Sequence, residues 1–280
     1  MFRRLSIVTI IISCFLSDSA ALNRSYPEDR VSWTKGIIVS YGMERFPVKE
    51  TGLPEDSIDG SVTSLNRGRI EAYRRAREQA ISGIARMLGG IRIDPDTLFD
   101  DLLERSDAVQ SRIVNLIARR VKLSEFPVDF YTSGCRAELK IGDLLQAVPY
   151  KYPAKSFPTR IDNPIPTEYT SLIIDTRGLG IEPMILPSVF DEDGLEVYGR
   201  YYVDIRHAMR YGIVCYVYTD DDAVKSPVAG DRPYYAVAVS RLKGCPVISD
   251  RDVRKIFSSS RTIAQLKKTR VVFIIDKAAK

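Results

Sequence analysis

The 280-residue chain has one histidine, one tryptophan and four cysteines. A lone histidine, His207, excludes zinc centres built on two or more imidazoles. A Ser-His-Asp arrangement would have to use this residue, which sits among Arg206 and Arg210, and no G-x-S-x-G elbow is present to offer a nucleophile. No two cysteines form a C-x-x-C pair, so paired-thiol redox chemistry and thiolate metal sites lack their usual spacing. Cys135, Cys215 and Cys245 read as small buried hydrophobes, and nothing in the spacing supports a Cys215–Cys245 bridge. Beyond the first residues no apolar run is long enough to span a bilayer. An excess of one charge is missing too: 41 basic residues stand against 36 acidic ones, well mixed, for a net charge of +5. Nucleic-acid binders concentrate their basic residues, so no nucleic-acid partner is expected.

What is present starts with "MFRRLSIVTIIISCFLSDSAALN". Arg3 and Arg4 precede an apolar run from Leu5 to Leu16, and the small residues Ser19 and Ala21 follow. This predicts a secretory signal peptide over residues 1–21, cleaved after Ala21. Ile11-Ile12-Ser13-Cys14 also fits a loose lipobox, in which an acylated Cys14 would tether the protein to a membrane. Phe15 and Leu16 weigh against that reading, because they continue the apolar run. The expected location is the periplasm or the periplasmic face of the outer membrane.

A content of 45% hydrophobic and 28% charged residues is that of a folded protein. Residues 36–48 read as a strand and 49–63 as a loop. A helix is predicted from Ser64 or Asn66 to Leu88, with Ile70, Tyr73, Ala76, Ala80, Ile84 and Leu88 as its apolar stripe. Gly89-Gly90 would close it in a left-handed cap. Its arginines, among them Arg67, Arg74, Arg75 and Arg86, read as a solvated face interspersed with Glu71 and Glu78. The other reading is a surface for an acidic partner or phospholipid headgroups. A short strand at 91–94 precedes a helix starting at Pro95 and ending near Arg119-Arg120. Two strands joined at Thr132-Ser133-Gly134 follow.

Pro149, Pro153, Pro158, Pro164 and Pro166 mark residues 149–170 as a linker. Beyond it come a strand from Ser171, an Asp193-Gly194 hairpin and a short helix stopped by Gly212. Strands within 213–219 and 234–242, a helix capped by Ser249 and a last strand at 271–276 complete the chain. The expected class is α+β. Two mixed α/β domains, residues 22–148 and 171–280, would each hold a small, largely antiparallel sheet with packed helices.

Three stretches invite chemistry. "SLIIDTRGLG" (171–180) puts glycines after a strand, but a phosphate loop needs a helix N-terminus next. Pro183 and Pro187 follow instead, without a third glycine at Rossmann spacing or a Gly-Lys-Ser/Thr ending, so an irregular turn is expected. "DEDG" (191–194) repeats part of a calcium loop without its later ligands or flanking helices, and reads as a hairpin turn. "TDDDAVKSPVAGDRP" (219–233) places Asp220, Asp221, Asp222 and Asp231 in an acidic loop, where a hard cation is weighed against plain solvation. No catalytic, cofactor or metal residue is assigned.

"YTSLIIDTRGLGIEPMILPSVFDEDGLEVYG" resembles a segment of exported bacterial envelope proteins of the LPP-type lipoprotein and FlgT-like (flagellar assembly protein T) group. The resemblance is carried by Asp175, Arg177 to Gly180, Pro183, Asp191 to Gly194 and Val197 to Gly199. Residues 228–239 and 247–256, Trp33 with Gly36 and Gly42, and the Arg/Ala-rich helix extend it. It implies an exported, non-catalytic α/β protein associated with the outer membrane or a periplasmic assembly, with envelope or flagellar basal-body proteins as partners. FlgT-like members belong to a ring around the flagellar motor. The group has no catalytic pattern to carry over. The expected role is therefore structural. The alternative is a periplasmic ligand- or cation-binding regulatory module using the loop at 219–231, and a hydrolase comes third.

Overall fold

The computed structural model describes residues 27–56, 60–149, 155–158 and 167–277. The expected signal peptide, Cys14, and Pro153, Pro164 and Pro166 of the expected linker lie outside the described residues. In chain order the elements begin β1 (Arg30–Ser32), β2 (Ile37–Arg45), α1 (Leu65–Gly89), β3 (Arg92–Asp94), β4 (Thr97–Leu98), α2 (Phe99–Arg105) and α3 (Asp107–Arg120). Next come β5 (Lys122–Pro127), β6 (Thr132–Lys140), a 3-10 turn (Ile141–Gln146), β7 (Ser171–Asp175), β8 (Val189–Phe190) and β9 (Glu196–Tyr198). The chain ends with α4 (Ile205–Tyr211), β10 (Cys215–Val217), α5 (Asp220–Lys225), β11 (Pro233–Val237), β12 (Ser240–Leu242), β13 (Cys245–Val247), α6 (Asp250–Ile256), α7 (Ser260–Lys267) and β14 (Val271–Ile274). Contacts divide it into two compact units. The first takes the chain to Ser32, then Ile37–Gly90 and Leu103–Lys140; the second takes Trp33–Gly36, Ile91–Leu102 and Ile141–Lys280. Residues 91–102 and 141–148 thus pack with the second unit, which a linear division at the prolines does not capture.

The first unit is an antiparallel sheet in the order β1-β2-β6-β5 with α1 laid on it. The helix starts where Ser64 Oγ accepts the Arg67 N–H. Its buried line keeps Ala76, Ala80, Ile84 and Leu88 of the expected stripe and departs from it toward the helix's N-terminal end. Ile70 is 69% exposed, and the sheet is met by Gly68, Ala72, Ala76, Ala80, Gly83, Ile84 and Leu88. Small residues let the helix backbone approach the strand. A Cβ at Gly42 of β2 would stand 1.9 Å from the Ala76 carbonyl oxygen, and one at Gly83 would stand 1.9 Å from Ser40 Oγ. The helix closes differently from expectation, since Gly90 is right-handed at φ −79° and its N–H bonds to the Leu88 carbonyl. The arginines of α1 are largely paired: Arg74 with Glu71 and Glu78, Arg75 with Glu44 and Glu71, Arg67 with Asp56, Arg86 with Asp29.

Two boundaries move. The single helix expected from Pro95 is two, because Ser106 turns extended and its Oγ caps α3 by accepting the Val109 N–H. Pro95 itself lies in the turn between β3 and β4. The β5–β6 hairpin forms, but Thr132 to Gly134 belong to β6. The turn precedes them, where Asp129 Oδ1 accepts the N–H groups of Tyr131 and Thr132 at 2.8 and 2.7 Å.

The second unit holds a sheet in the order β10-β14-β7-β11 and another in the order β12-β13-β8-β9. The class is mixed helix and sheet in both units, as expected. Strand direction differs in the larger sheet of this unit, where every pairing is parallel. The physical reason is visible in β7 and β14, whose "SLII" and "VVFI" are buried throughout. Continuous apolar strands suit a parallel sheet covered on both faces. One face carries Ile173, Val217, Val272 and Ile274 under Ala223 of α5 and Val228 just beyond it. On the other, Tyr216 meets Trp33 and Phe273 edge to face at 5.7 and 5.8 Å. "YYAVAVSRL" is not one strand: β11 joins β7, whereas β12 pairs with β13.

Candidate functional site

Open parallel sheets gather ligands and contacts at the carboxyl ends of their strands, where the loops emerge. Here those ends bring together Asp175, the last residue of β7, Asp220 after β10 and Asp276 after β14, and Tyr235 reaches them from the middle of β11. Arg177 is the hub. Its Nε donates to Asp175 Oδ1 at 2.8 Å and its Nη1 to Asp220 Oδ2 at 3.0 Å. The Tyr235 hydroxyl donates to Asp220 Oδ1. Arg177 holds the Asp175 carboxyl below the usual carboxylate range, and the Tyr235 hydroxyl with Arg177 does the same for Asp220. Burial first, and then Asp220, pushes the Tyr235 phenol up. The arrangement is a charge-assisted staple joining β7, the turn after β10 and β11, in which each group satisfies another.

The glycine loop of "DTRGLG" lies on this crest. Gly178 and Gly180 have φ of +80° and +61°, and no helix follows. The Gly178 N–H donates to Asp276 Oδ2 at 2.9 Å. A carboxylate of the chain itself therefore takes the place an anion would need. Asp220, Asp221 and Asp222 do not form the expected acidic loop. They are the first turn of α5, where Thr219 Oγ1 accepts the Asp222 N–H at 3.1 Å. Carboxylates at that end complement the helix dipole, and no cation is required to hold them.

"DEDG" folds as the expected tight turn, with the Gly194 N–H on the Asp191 carbonyl and Gly194 at φ +78°. The fold also brings Asp191, Asp193 and Asp250 within 4.8 Å of one another. Sequence spacing gave no signal of this, because Asp250 arrives from α6. Asp191 Oδ1 accepts the Leu195 N–H, and Glu192 accepts the Asp250 N–H, so turn and helix start account for much of the cluster. His207 lies in α4, its Nδ1 3.8 Å from Asp204 Oδ2. Cys135 and Cys245 are buried and Cys215 is half-buried, all three as free thiols. Burial pushes the Cys245 thiol up to about 11, which makes it unreactive at neutral pH.

Small clefts occur among the described residues. One in the first unit, about 220 Å³, is lined by Phe46, Gly68, Ile70 and Ala72 with Arg67 and Glu71 on its rim. One in the second unit, about 250 Å³, lies between Arg92, Glu182, Met184 and Arg241. Arg92 is paired with Glu182 at 3.2 Å, and Arg241 donates to the Gly180 carbonyl at 3.2 Å.

The feature that sequence reading missed is an edge. No described strand covers the outer side of β11, and Tyr235, Val237 and Val239 are 41%, 60% and 52% exposed. Their alternation was legible, but whether the row faced core or solvent depended on strand order.

The fold and this crest define a mixed α/β unit organised on a parallel sheet. Residues 171–277, which include that sheet, match a family model described as the second domain of Treponema pallidum Tp0624. No curated protein matches the chain. Among the described residues no helix is long and apolar enough to cross a membrane.

Proposed function

We propose that the protein is a non-catalytic, exported component of the bacterial envelope with a structural or assembly role, acting through protein–protein contacts. The observation that supports this best is the outer edge of β11. Native edges are usually blunted by charge, proline or a covering element, because unpaired peptide groups invite another strand. Here Pro233 stands only at the strand's first residue. The middle presents an exposed apolar row, the kind of surface used in β-strand addition. The Arg177 staple lies beside it, and by tying Tyr235 to Asp220 it holds one residue of that row in place.

Export is supported by the amino-terminal sequence, and the envelope setting by the resemblance to LPP-type and FlgT-like proteins. Basal-body proteins are among the partners that resemblance suggests. Crosslinking followed by affinity purification from fractionated cells tests the reading. The expected result is a periplasmic or outer-membrane-associated species heavier than the single chain, lost on Val237→Lys. Recovery of the protein from the cytosol, uncrosslinked, would overturn the proposal.

A further inference from the structure

We propose that the cleft between Arg92 and Arg241 in the second unit is a binding site for a phosphate group, free or at the end of a larger molecule. The site is separate from the β11 edge and does not depend on the assembly reading. Two guanidinium groups line the same space of about 250 Å³. Each is aimed by a backbone carbonyl. Arg92 Nη1 donates to the Pro95 carbonyl at 3.0 Å, and Arg241 Nη1 donates to the Gly180 carbonyl at 3.2 Å. A guanidinium held at one nitrogen by a carbonyl keeps its charge and its other N–H groups for an oxyanion. The chain itself shows what the cleft accepts, since the Glu182 carboxylate pairs with Arg92 at 3.2 Å. That carboxylate is 71% exposed, so the pair is a weak surface one that a ligand can displace. Among the described residues no carboxylate pairs with Arg241, which is held by the Gly180 carbonyl alone.

The walls are fixed in advance, which lowers the cost of binding. Met184 is clamped by Tyr216, whose hydroxyl accepts the Met184 N–H at 3.1 Å and donates to the Met184 carbonyl at 3.0 Å. The same segment is tied to β3, where the Ile185 N–H bonds to the Arg92 carbonyl. β12 and β13 are joined by Lys243 and Gly244, at φ +50° and +72°. This is the two-residue turn of a tight hairpin, in which Asn, Asp or Gly usually takes the first place. Lysine there adds an exposed cation next to the lining. Gly244 keeps the cleft open, because a Cβ there would touch Met184 Cε at 3.9 Å and Pro95 Cβ at 4.0 Å. Charge and size then select the ligand. A carboxylate offers one charge and two oxygens, enough for a single guanidinium fork. A phosphate monoester carries about −1.5 to −2 at neutral pH, with three acceptor oxygens, enough for both arginines once Glu182 swings away. The cleft is smaller than the roughly 300–1,000 Å³ of sites that enclose a drug-sized ligand. It therefore fits the phosphate and leaves the rest of a larger molecule outside.

The test uses the full chain, purified as the cell processes it. Inorganic phosphate is titrated by phosphorus NMR. Vesicles containing phosphatidic acid, whose headgroup is a phosphate monoester, are tested by flotation against phosphatidylcholine vesicles. The expected result is saturable binding in at least one arm, weakened at least about tenfold by Arg241→Ala and tightened by Glu182→Gln. Arg92→Lys keeps the charge and loses the fork, and should weaken binding too. Arg261→Ala removes the same charge from a 78% exposed site on α7 and should change nothing. Arg241 is exposed, so its variant should keep the circular dichroism spectrum and melting temperature of the parent. Phosphate binding without vesicle binding assigns the site to free phosphate, and vesicle binding lost on Arg241→Ala assigns it to a lipid headgroup. No binding in either arm overturns the proposal. So does equal weakening by Arg241→Ala and Arg261→Ala, which marks a diffuse charge effect, or tighter binding of succinate than of phosphate. Crosslinking that depends on Val237 is independent of all these outcomes, so the site and the assembly reading stand or fall separately.

Discussion

Glu196 is a half-buried carboxyl whose Oε1 has no hydrogen-bond partner among the described residues. Burial raises its pKa, with Lys155 and Arg200 pulling back. A carboxyl raised in the folded state favours folding while protonated. That contribution is present below the unfolded pKa of about 4.3 and is lost as pH rises through the folded value. Glu196→Gln should therefore raise the melting temperature at neutral pH and leave it nearly unchanged near pH 4, read by thermal denaturation across pH. Asp175 has the opposite sign. Arg177 lowers its pKa, so its contribution is present above the unfolded carboxylate value and is lost as pH falls through the folded one. Arg177→Ala should shift the acid-unfolding midpoint to higher pH, measured by acid titration of the circular dichroism signal. Local chemistry of this kind was partly legible in the sequence. Ser64 and Ser249 cap their helices because a cap needs only neighbours a few residues away. The Gly178–Asp276 bond, 98 residues apart in sequence, left no such trace.

At the scale of elements, α1 on β2 shows what periodicity misses. Of the expected stripe, Ala76, Ala80, Ile84 and Leu88 are buried and Ile70 is exposed. The fold adds Gly68, Ala72 and Gly83 to the buried line, because backbone approach gains more contacts there than side-chain bulk would. Gly42→Ala should then destabilise the first unit by about 1–3 kcal/mol, as overpacking does, whereas Ile70→Ala should change stability little. Urea denaturation of both variants checks the contrast. The acidic run at 220–222 reads as a loop in sequence because six residues are too few for a helical period to show, although Thr219 is a good cap and acids belong at a helix start. The parallel direction of the larger sheet is encoded in the uninterrupted apolar runs of β7 and β14, a signal that alternation within single strands does not carry.

On the scale of the molecule, composition identified a folded chain with mixed charge, and the mixture of helix and sheet in two units followed from element types along the chain. The threading did not. Residues 91–102 join the second unit, because which surface a short hairpin packs on is decided by long-range contacts. The same limit hid the β11 edge, whose exposure depends on a strand order of β10-β14-β7-β11. The account rests on that edge as the place where the protein meets a partner. A photoreactive residue at position 237 tests it most directly in living cells, with position 70, 69% exposed in the first unit, as the reference. Illumination should yield a defined adduct from position 237, heavier than the single chain, and none from position 70. No adduct from position 237, or equal adducts from both, would contradict the account.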